Sequence, residues 1–387
     1  MLSAVEDQVL QARRSQLEGL DTNPEVVDEL LAFNAPRTHW TSLTWPVESP
    51  QGHEPHVPDW KRYAGQMEAT SLGEVLPGVI RQLQFPVRRE MSLDEDYRLA
   101  LRGGRVEAGP QTRPLGAGRV ELRRTAAGTL PLLWLDERAD FEYVAQCLLH
   151  RNEPVQIPPS MGAALVAGYR NWERIDRLRA AFSQGRLEVT ESRWMDYLKR
   201  IASEQPELIS DRFVLVSTGA YSALRAQEVG LDEAQWGTLS NEIRVEHECG
   251  HYLTRRWLGF MSELPLDELS LDCAATVRVR GQAETDWVKK FLGVETERGA
   301  RPGARLWNYR GSPPLSDPAF EVECSLVRSA IDHWETARAL LASQAHPDPA
   351  TALVLACAVS CLEEVAGPKG PEHLASLAAQ FVEPDHP

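Results

Sequence analysis

Five residues, His247-Glu248-Cys249-Gly250-His251, set two imidazoles four positions apart with a carboxylate directly after the first. On a helix, positions i and i+4 lie one turn apart on one face. Two neutral imidazoles so placed can reach a single metal ion at about 2.0–2.1 Å. Glu248 cannot share their ligand position, and it flanks the open side of such an ion, where a carboxylate takes a proton from water. Further along, Glu268 and Asp272 repeat the one-turn spacing with two carboxylates. One of them can complete a His2Glu zinc site with water in the fourth position. The other can orient a ligand histidine by accepting its second ring N–H. Two more residues are candidates for donating a hydrogen bond to a developing oxyanion: Tyr221, shortly before the motif, and His333, well after it.

These residues need two consecutive helices. The proline-free run from about Ser240 to Leu258 reads as one helix, with Gly259 past its end as a C-cap. Val245, Cys249 and Tyr252 lie off the histidine face and pack it into a core. Leu264 to Ala275 reads as a second helix, with Pro265 in its first turn and Asp267 and Glu268 at the positive end of its dipole. The pair resembles the gluzincin (thermolysin-like) branch of HExxH zinc metallopeptidases, in which His-Glu-x-x-His is followed by Glu-x-x-x-Asp. That resemblance implies His247, His251 and Glu268 as zinc ligands, Glu248 as general base and Asp272 as the partner of His247. Glu268 is also the longer carboxylate and sits nearer its helix start, so it reaches a metal more easily than Asp272. The metzincin pattern is absent: it needs glycine and histidine three and six residues after His251, where Thr254 and Trp257 stand. Asn152-Glu153-Pro154-Val155, Ser160-Met161-Gly162-Ala163 and Asp267-Glu268-Leu269 are similar to stretches of uncharacterised bacterial zincin-like proteins.

Composition narrows the setting. The chain has 387 residues, 43% of them hydrophobic and 25% charged, which is long enough for two or three subdomains. A net charge of −15 argues against nucleic acid and anionic membrane as partners. No apolar run approaches the ~20 residues that span a bilayer. The N-terminal residues carry no export pattern. The six cysteines lack disulfide-framework or zinc-finger spacing, and Cys357 and Cys361, four residues apart, read as core packing. Together these features lead us to expect a cytoplasmic protein; they do not define its oligomeric state.

The expected fold class is α+β: a mostly helical zincin-like fold with a small mixed sheet beside the motif helix. Three regions are expected: 1–135, helical with a hairpin; 136–298, the catalytic core; and 299–387, a helical part completing the cleft. Val120 to Leu135 reads as a β-hairpin broken at Ala126-Ala127-Gly128. The segment His150 to Trp172, in which Ile157 to Ala163 cannot continue a helix, reads as a loop, either entering a cleft or crossing between helices. Phe213-Val214-Leu215-Val216-Ser217 is the clearest strand, and its place before the motif suits an edge strand that pairs with extended substrate; the other reading is an interior strand. His53-Glu54-Pro55-His56 reads as a loop, because Pro55 breaks helical geometry. Arg98, Arg102 and Arg105 read as a solvated basic face, the Gly/Pro/Arg-rich stretch 299–314 as a lid or cleft wall, and the Pro/Glu/His tail as frayed.

The expected activity is zinc-dependent hydrolysis of a peptide or amide bond, with Glu248 as the base. Two alternatives stand beside it: a zinc enzyme of specialised metabolism acting on a small amide, ester or thioester, and a zinc-stabilised binding protein without turnover.

Overall fold

In the computed structural model, residues 2–20, 22–50, 52–104, 106, 113–184 and 190–381 are described. Helix α1 (Leu2–Glu18) and helix α2 (Pro24–Phe33) open the chain, the second capped by the Asn23 side chain on the backbone N–H of Glu25. Both belong to a unit made of Met1–Pro50 and Gly219–Pro387; Gln51–Thr218 forms a second unit. These units do not follow the regions expected at 1–135, 136–298 and 299–387. Sequence order hides the reason: the first two helices are held by the last ones. Arg13 Nε donates to Glu363 Oε2 at 3.1 Å and Nη2 to Leu31 O at 3.0 Å, while Asn34 Nδ2 donates to Glu323 Oε2 at 2.9 Å and Glu363 Oε1 at 3.2 Å.

The second unit carries α3 (Val57–Ala69), α4 (Leu72–Val79), α5 (Glu95–Leu101), α6 (Arg138–Leu149), α7 (Trp172–Ser183) and α8 (Glu191–Glu204). Its sheet contains β1 (Gly118–Thr125), β2 (Gly128–Leu135), β3 (Ala163–Arg170) and β4 (Ser210–Ser217), in the order β1-β2-β4-β3. The hairpin β1–β2 is antiparallel from Gly118↔Leu135 to Thr125↔Gly128, as the sequence predicts. β2 runs parallel to β4, and β3 runs antiparallel to it, so the sheet is mixed. Trp60, Phe141, Leu133, Phe213 and Leu215 lie in one apolar core under it.

The α+β, mostly helical class is therefore what the chain adopts, and the sheet lies in the unit that does not contain the motif helix. Two expectations change. β4 is hydrogen-bonded on both sides, by β2 and β3, so it is an interior strand and offers no edge for an extended peptide. The second half of the segment expected as loop is the edge strand β3, whose Ala-Ala-Leu-Val-Ala-Gly pattern is weak in β-formers and bulges where Gly168 takes a φ of 89°. His56 caps the start of α3 in backbone terms, and His53 Nδ1 meets Thr129 Oγ1 at 3.0 Å, so the two histidines serve separate structural contacts. Arg98 Nε donates to Ser92 O at 3.0 Å; Arg105 and the tail 382–387 lie outside the described residues.

In the first unit the chain returns as α9 (Glu233–Leu258), α10 (Pro265–Arg280), α11 (Thr285–Leu292), α12 (Asp317–Ser343), α13 (Pro349–Ala358), α14 (Leu362–Ala366) and α15 (Gly370–Ala378). The motif helix α9 is longer than expected at its N-terminal end, where Asp232 caps it on Gln235 N–H at 2.9 Å. It stops where expected, at Gly259 with φ 77°. α10 packs between α9, α12 and α13, and Trp334 of α12 donates its indole N–H to Ser270 of α10 at 3.0 Å. Among the described residues no helix is long and apolar enough to cross a membrane.

The buried cluster under α2 sets a pH dependence. Glu323 is 1% exposed; burial pushes its carboxyl up, the Asn34 hydrogen bond only partly opposes this, and the Glu363 charge adds to it, giving a pKa of about 8. An unfolded glutamate ionises near ~4.3. Between these values the folded chain holds one more proton than the unfolded chain. Stability therefore falls as pH rises from about 4.5 to about 8, by up to roughly 1.4 kcal/mol per pH unit. Glu323→Gln is expected to flatten that slope and to be the more stable protein at the alkaline end. Urea unfolding of both proteins across this range checks it, and parallel curves would refute it.

Candidate metal centre

The motif helix and α10 approach closely because Gly250 sits between the two histidines. A Cβ built on Gly250 would lie 2.2 Å from Leu271 Cδ2, so any larger residue pushes the Leu271 side chain aside. With that approach made, the one-turn spacings of the two helices face each other. His247, His251 and Glu268 offer donor atoms that all lie within 4.8 Å of one another. His247 Nε2 is 3.4 Å from Glu268 Oε2, and His251 Nε2 is 3.5 Å from Glu268 Oε1. Donors held at 2.0–2.1 Å in a tetrahedron stand about 3.3–3.4 Å apart, so these separations match the edges of a zinc site. All three residues are buried, with relative exposures of 6%, 7% and 2%.

Asp272 lies behind His247, its Oδ1 2.9 Å from Nδ1. That contact puts a proton on Nδ1 and leaves the Nε2 lone pair on the side of His251 and Glu268. The donor set therefore fits a zinc ion: two nitrogens, one carboxylate, and an oriented imidazole. Without a metal, burial alone would lower the His247 pKa, but the Asp272 hydrogen bond and the nearby Glu268 outweigh it and raise it to about 10. Glu268 moves the other way: burial pushes it up, and the two histidines hold it well below the usual carboxylate range. A metal ion entering here replaces a proton, so its uptake weakens as pH falls.

Asp272 is itself held by a residue that sequence reasoning passed over. Arg305 Nη2 makes an ion pair with Asp272 Oδ2, and Arg305 Nη1 donates to Tyr221 OH at 2.8 Å and to Ser222 Oγ at 3.3 Å. Tyr221 completes the ring by donating its hydroxyl to Asp272 Oδ1 at 2.6 Å. One buried carboxylate thus accepts from an imidazole, a phenol and a guanidinium, and no charge in the triad stands unpaired. Arg305 begins a 3-10 turn, Arg305–Tyr309, whose last residue reaches the other carboxylate: Tyr309 OH donates to Glu268 Oε2 at 2.8 Å. Burial first, then the charge of Glu268, lifts the Tyr309 phenol well above its ordinary value despite Arg305, so it stays a proton donor. The stretch read as a lid or cleft wall thus sends two side chains onto the centre.

Tyr221 is placed by strain and by α9. Ser222 and Ala223 take positive φ angles of 49° and 57°, a conformation that non-glycine residues adopt only when their surroundings impose it. Ser240 accepts the Tyr221 backbone N–H at 3.0 Å, and Arg244 donates to the carbonyl of Gly219 at 3.0 Å. The phenol packs edge-on against Phe291, with ring centroids 4.9 Å apart. Tyr221 therefore belongs to the centre, where its hydroxyl donates to Asp272 and accepts from Arg305. His333 is not brought to the centre: its Nδ1 faces Val365 O at 2.8 Å, and its ring lies beside Gly370. Glu248 is 9% exposed, and its carboxylate makes no hydrogen bond or ion pair among the described residues. The only sequence signal for Arg305 and Tyr309 was their place in a Gly/Pro/Arg-rich stretch; neither lies on a helix that periodicity could align with the motif.

The fold and the centre define an α+β protein with a buried two-histidine, two-carboxylate cluster on adjacent helices. The chain belongs to a family of unknown function (DUF7005), which it matches over residues 15–369. Comparison with curated proteins and with solved structures gave no match.

Two metal-binding outcomes follow from this geometry. His247→Ala is expected to lower bound zinc by one equivalent per chain, read by metal analysis of the purified protein; unchanged content would end the assignment. Asp272→Asn and Arg305→Gln are each expected to weaken that zinc roughly 10–100-fold, the usual scale for partners of metal ligands. Glu268→Gln should cost more, because it removes a charged ligand. Chelator competition ranks the three, and a stronger effect for Asp272→Asn than for Glu268→Gln would reverse the two roles.

Proposed function

We propose that this chain is a zinc-dependent hydrolase that cleaves an amide bond, with His247, His251 and Glu268 as the metal ligands and Glu248 as the general base. The observation that carries this reading is the unpaired Glu248 carboxylate beside a donor set whose spacings fit tetrahedral zinc. A structural zinc site has no use for an unengaged buried carboxylate; hydrolysis does, because a base must be free to accept a proton. This favours turnover over a zinc-stabilised binding role.

A zinc ion bound there supplies Lewis acidity, polarising a carbonyl and bringing the pKa of water towards ~7. The chain's own residues do the rest. Glu248 takes the proton from the attacking water on its carboxylate and delivers it to the leaving nitrogen. Tyr309, protonated and already at the centre, shifts its hydrogen bond from Glu268 to the developing oxyanion. Arg305 and Tyr221 hold Asp272, and Asp272 holds the His247 ring.

Between an extended peptide and a compact amide, ester or thioester, the interior position of β4 supports the compact substrate. The strand expected to pair with a peptide is already paired on both sides. A cytoplasmic setting is part of the same reading, supported by six cysteines that are all buried and unbridged.

The test uses small chromogenic amides and esters with the zinc-loaded protein. Glu248→Gln is expected to keep its zinc and lose roughly 100- to 10,000-fold in turnover. Tyr309→Phe should lose roughly 100- to 1,000-fold in kcat with little change in KM, since its bond to an oxyanion exists only in the transition state. Near-normal turnover by Glu248→Gln would remove the general-base role.

A further inference from the structure

A second group of ligand-type side chains lies in the first unit, outside the centre just described. His39, Cys361 and Glu364 each offer one donor atom, and these atoms lie within 4.8 Å of one another. The group joins parts of the chain that sequence keeps 325 residues apart. His39 precedes a 3-10 turn, Trp40–Ser42, and Cys361 is the N-cap of α14. Cys361 is 1% exposed, and the side chains of His39 and Glu364 are 17% and 11% exposed.

The carboxylate and the imidazole are held as metal ligands are held. Glu364 Oε2 accepts the Cys361 backbone N–H at 2.8 Å, and Oε1 accepts the Trp40 indole N–H at 3.1 Å. His39 Nδ1 accepts the Thr41 backbone N–H at 3.4 Å and lies 2.8 Å from Thr41 Oγ1; a metal at Nε2 requires the ring proton on Nδ1, where Thr41 Oγ1 can accept it. His373, whose ring lies 5.9 Å from Trp40, has a buried Nε2 without a hydrogen-bond partner.

The simpler account is a His39–Glu364 ion pair, with Nε2 2.9 Å from Oε2, docking the N-terminal segment on the C-terminal helices. It leaves Cys361 with a packing and capping role only. An N-cap that needs only to accept a backbone N–H is served best by Ser, Thr, Asp or Asn, and a thiol serves it poorly. A thiol next to an imidazole and a carboxylate is instead the mixed donor set that suits zinc. Charge agrees: one thiolate, one carboxylate and a neutral imidazole around a divalent cation sum to zero, as a mostly buried site requires. The His39–Glu364 separation need open by only a few tenths of an ångström to reach the tetrahedral edge of about 3.3 Å.

We propose that His39, Cys361 and Glu364 form a second, structural zinc-type site that pins the segment around His39 to the start of α14. Binding releases the Cys361 thiol proton and the proton between His39 Nε2 and Glu364 to solvent, and the neutral His39 ring carries its one proton on Nδ1. The site is independent of the hydrolase reading, because it shares no residue with the His247 centre.

Cobalt substitution separates the two centres, since the His247 centre has no sulfur ligand and a thiolate bound to Co2+ gives a near-ultraviolet charge-transfer band. The full-length protein loaded with Co2+ is expected to show that band, and His247→Ala is expected to keep it while losing one equivalent of metal. Cys361→Ser and His39→Gln should each lose the band and one equivalent while keeping the other. His39→Gln retains the thiol and guards against a folding defect in Cys361→Ser, with circular dichroism as the check on both. Absence of the band from the wild-type protein, or its persistence in a folded Cys361→Ser protein, would overturn the site. Glu248→Gln should leave the band untouched, so failure here and failure of the hydrolase reading are distinguishable.

Discussion

The contact between α9 and α10 governs the chemistry of this protein. Each helix alone presents only a pair of polar residues one turn apart, and neither pair makes a site. Gly250 lets the two helices close to a distance that a Cβ would obstruct at Leu271. Four ionisable side chains then share one buried volume: His247, His251, Glu268 and Asp272. Burying so much charge is unfavourable unless each group meets an opposite partner or a metal. The spacing of the donors and their burial both follow from that one approach.

The same need for compensation accounts for the turn Arg305–Tyr309. Asp272 spends one oxygen on His247 and Tyr221, and Arg305 engages the other. Without a cation at that point, the charge of the most buried carboxylate of the cluster would be offset only by hydrogen bonds from His247 and Tyr221. The turn also delivers Tyr309 to Glu268, so a single short element serves both carboxylates. The positive φ angles at Ser222 and Ala223 fit this picture, because they hold Tyr221 where the Asp272 ring of hydrogen bonds needs it.

Elsewhere in the first unit, polar groups are buried for architecture. Arg13, Asn34, Glu323 and Glu363 form a cluster that ties α1 and α2 to α12 and α14. His39, Trp40 and Glu364 form another at the start of α14. Both connect residues between Arg13 and Trp40 to residues between Glu323 and Glu364, so the unit is closed by its own N-terminal segment.

Helix periodicity paired His247 with His251 and Glu268 with Asp272, because a regular helix fixes which residues share a face, and the resemblance to gluzincins implied that the two pairs and Glu248 belong to one centre. The glycine after α9 and the proline at the start of α10 were equally readable, since backbone φ and a missing N–H act locally. The hairpin β1–β2 could be read for the same local reason. Arg305 and Tyr309 could not, because their approach depends on a non-periodic segment folding back over 33 residues onto Asp272. The role of Tyr221 also required the fold: an exposed phenol and a phenol bound to Asp272 are the same letter in a sequence. β4 could be read as an edge or as an interior strand because its own residues say nothing about its neighbours, and only the pairing of β2 and β3 on its two sides made it interior. Local backbone preference is written along the chain; which distant side chain neutralises a buried charge is decided only when the chain has closed on itself.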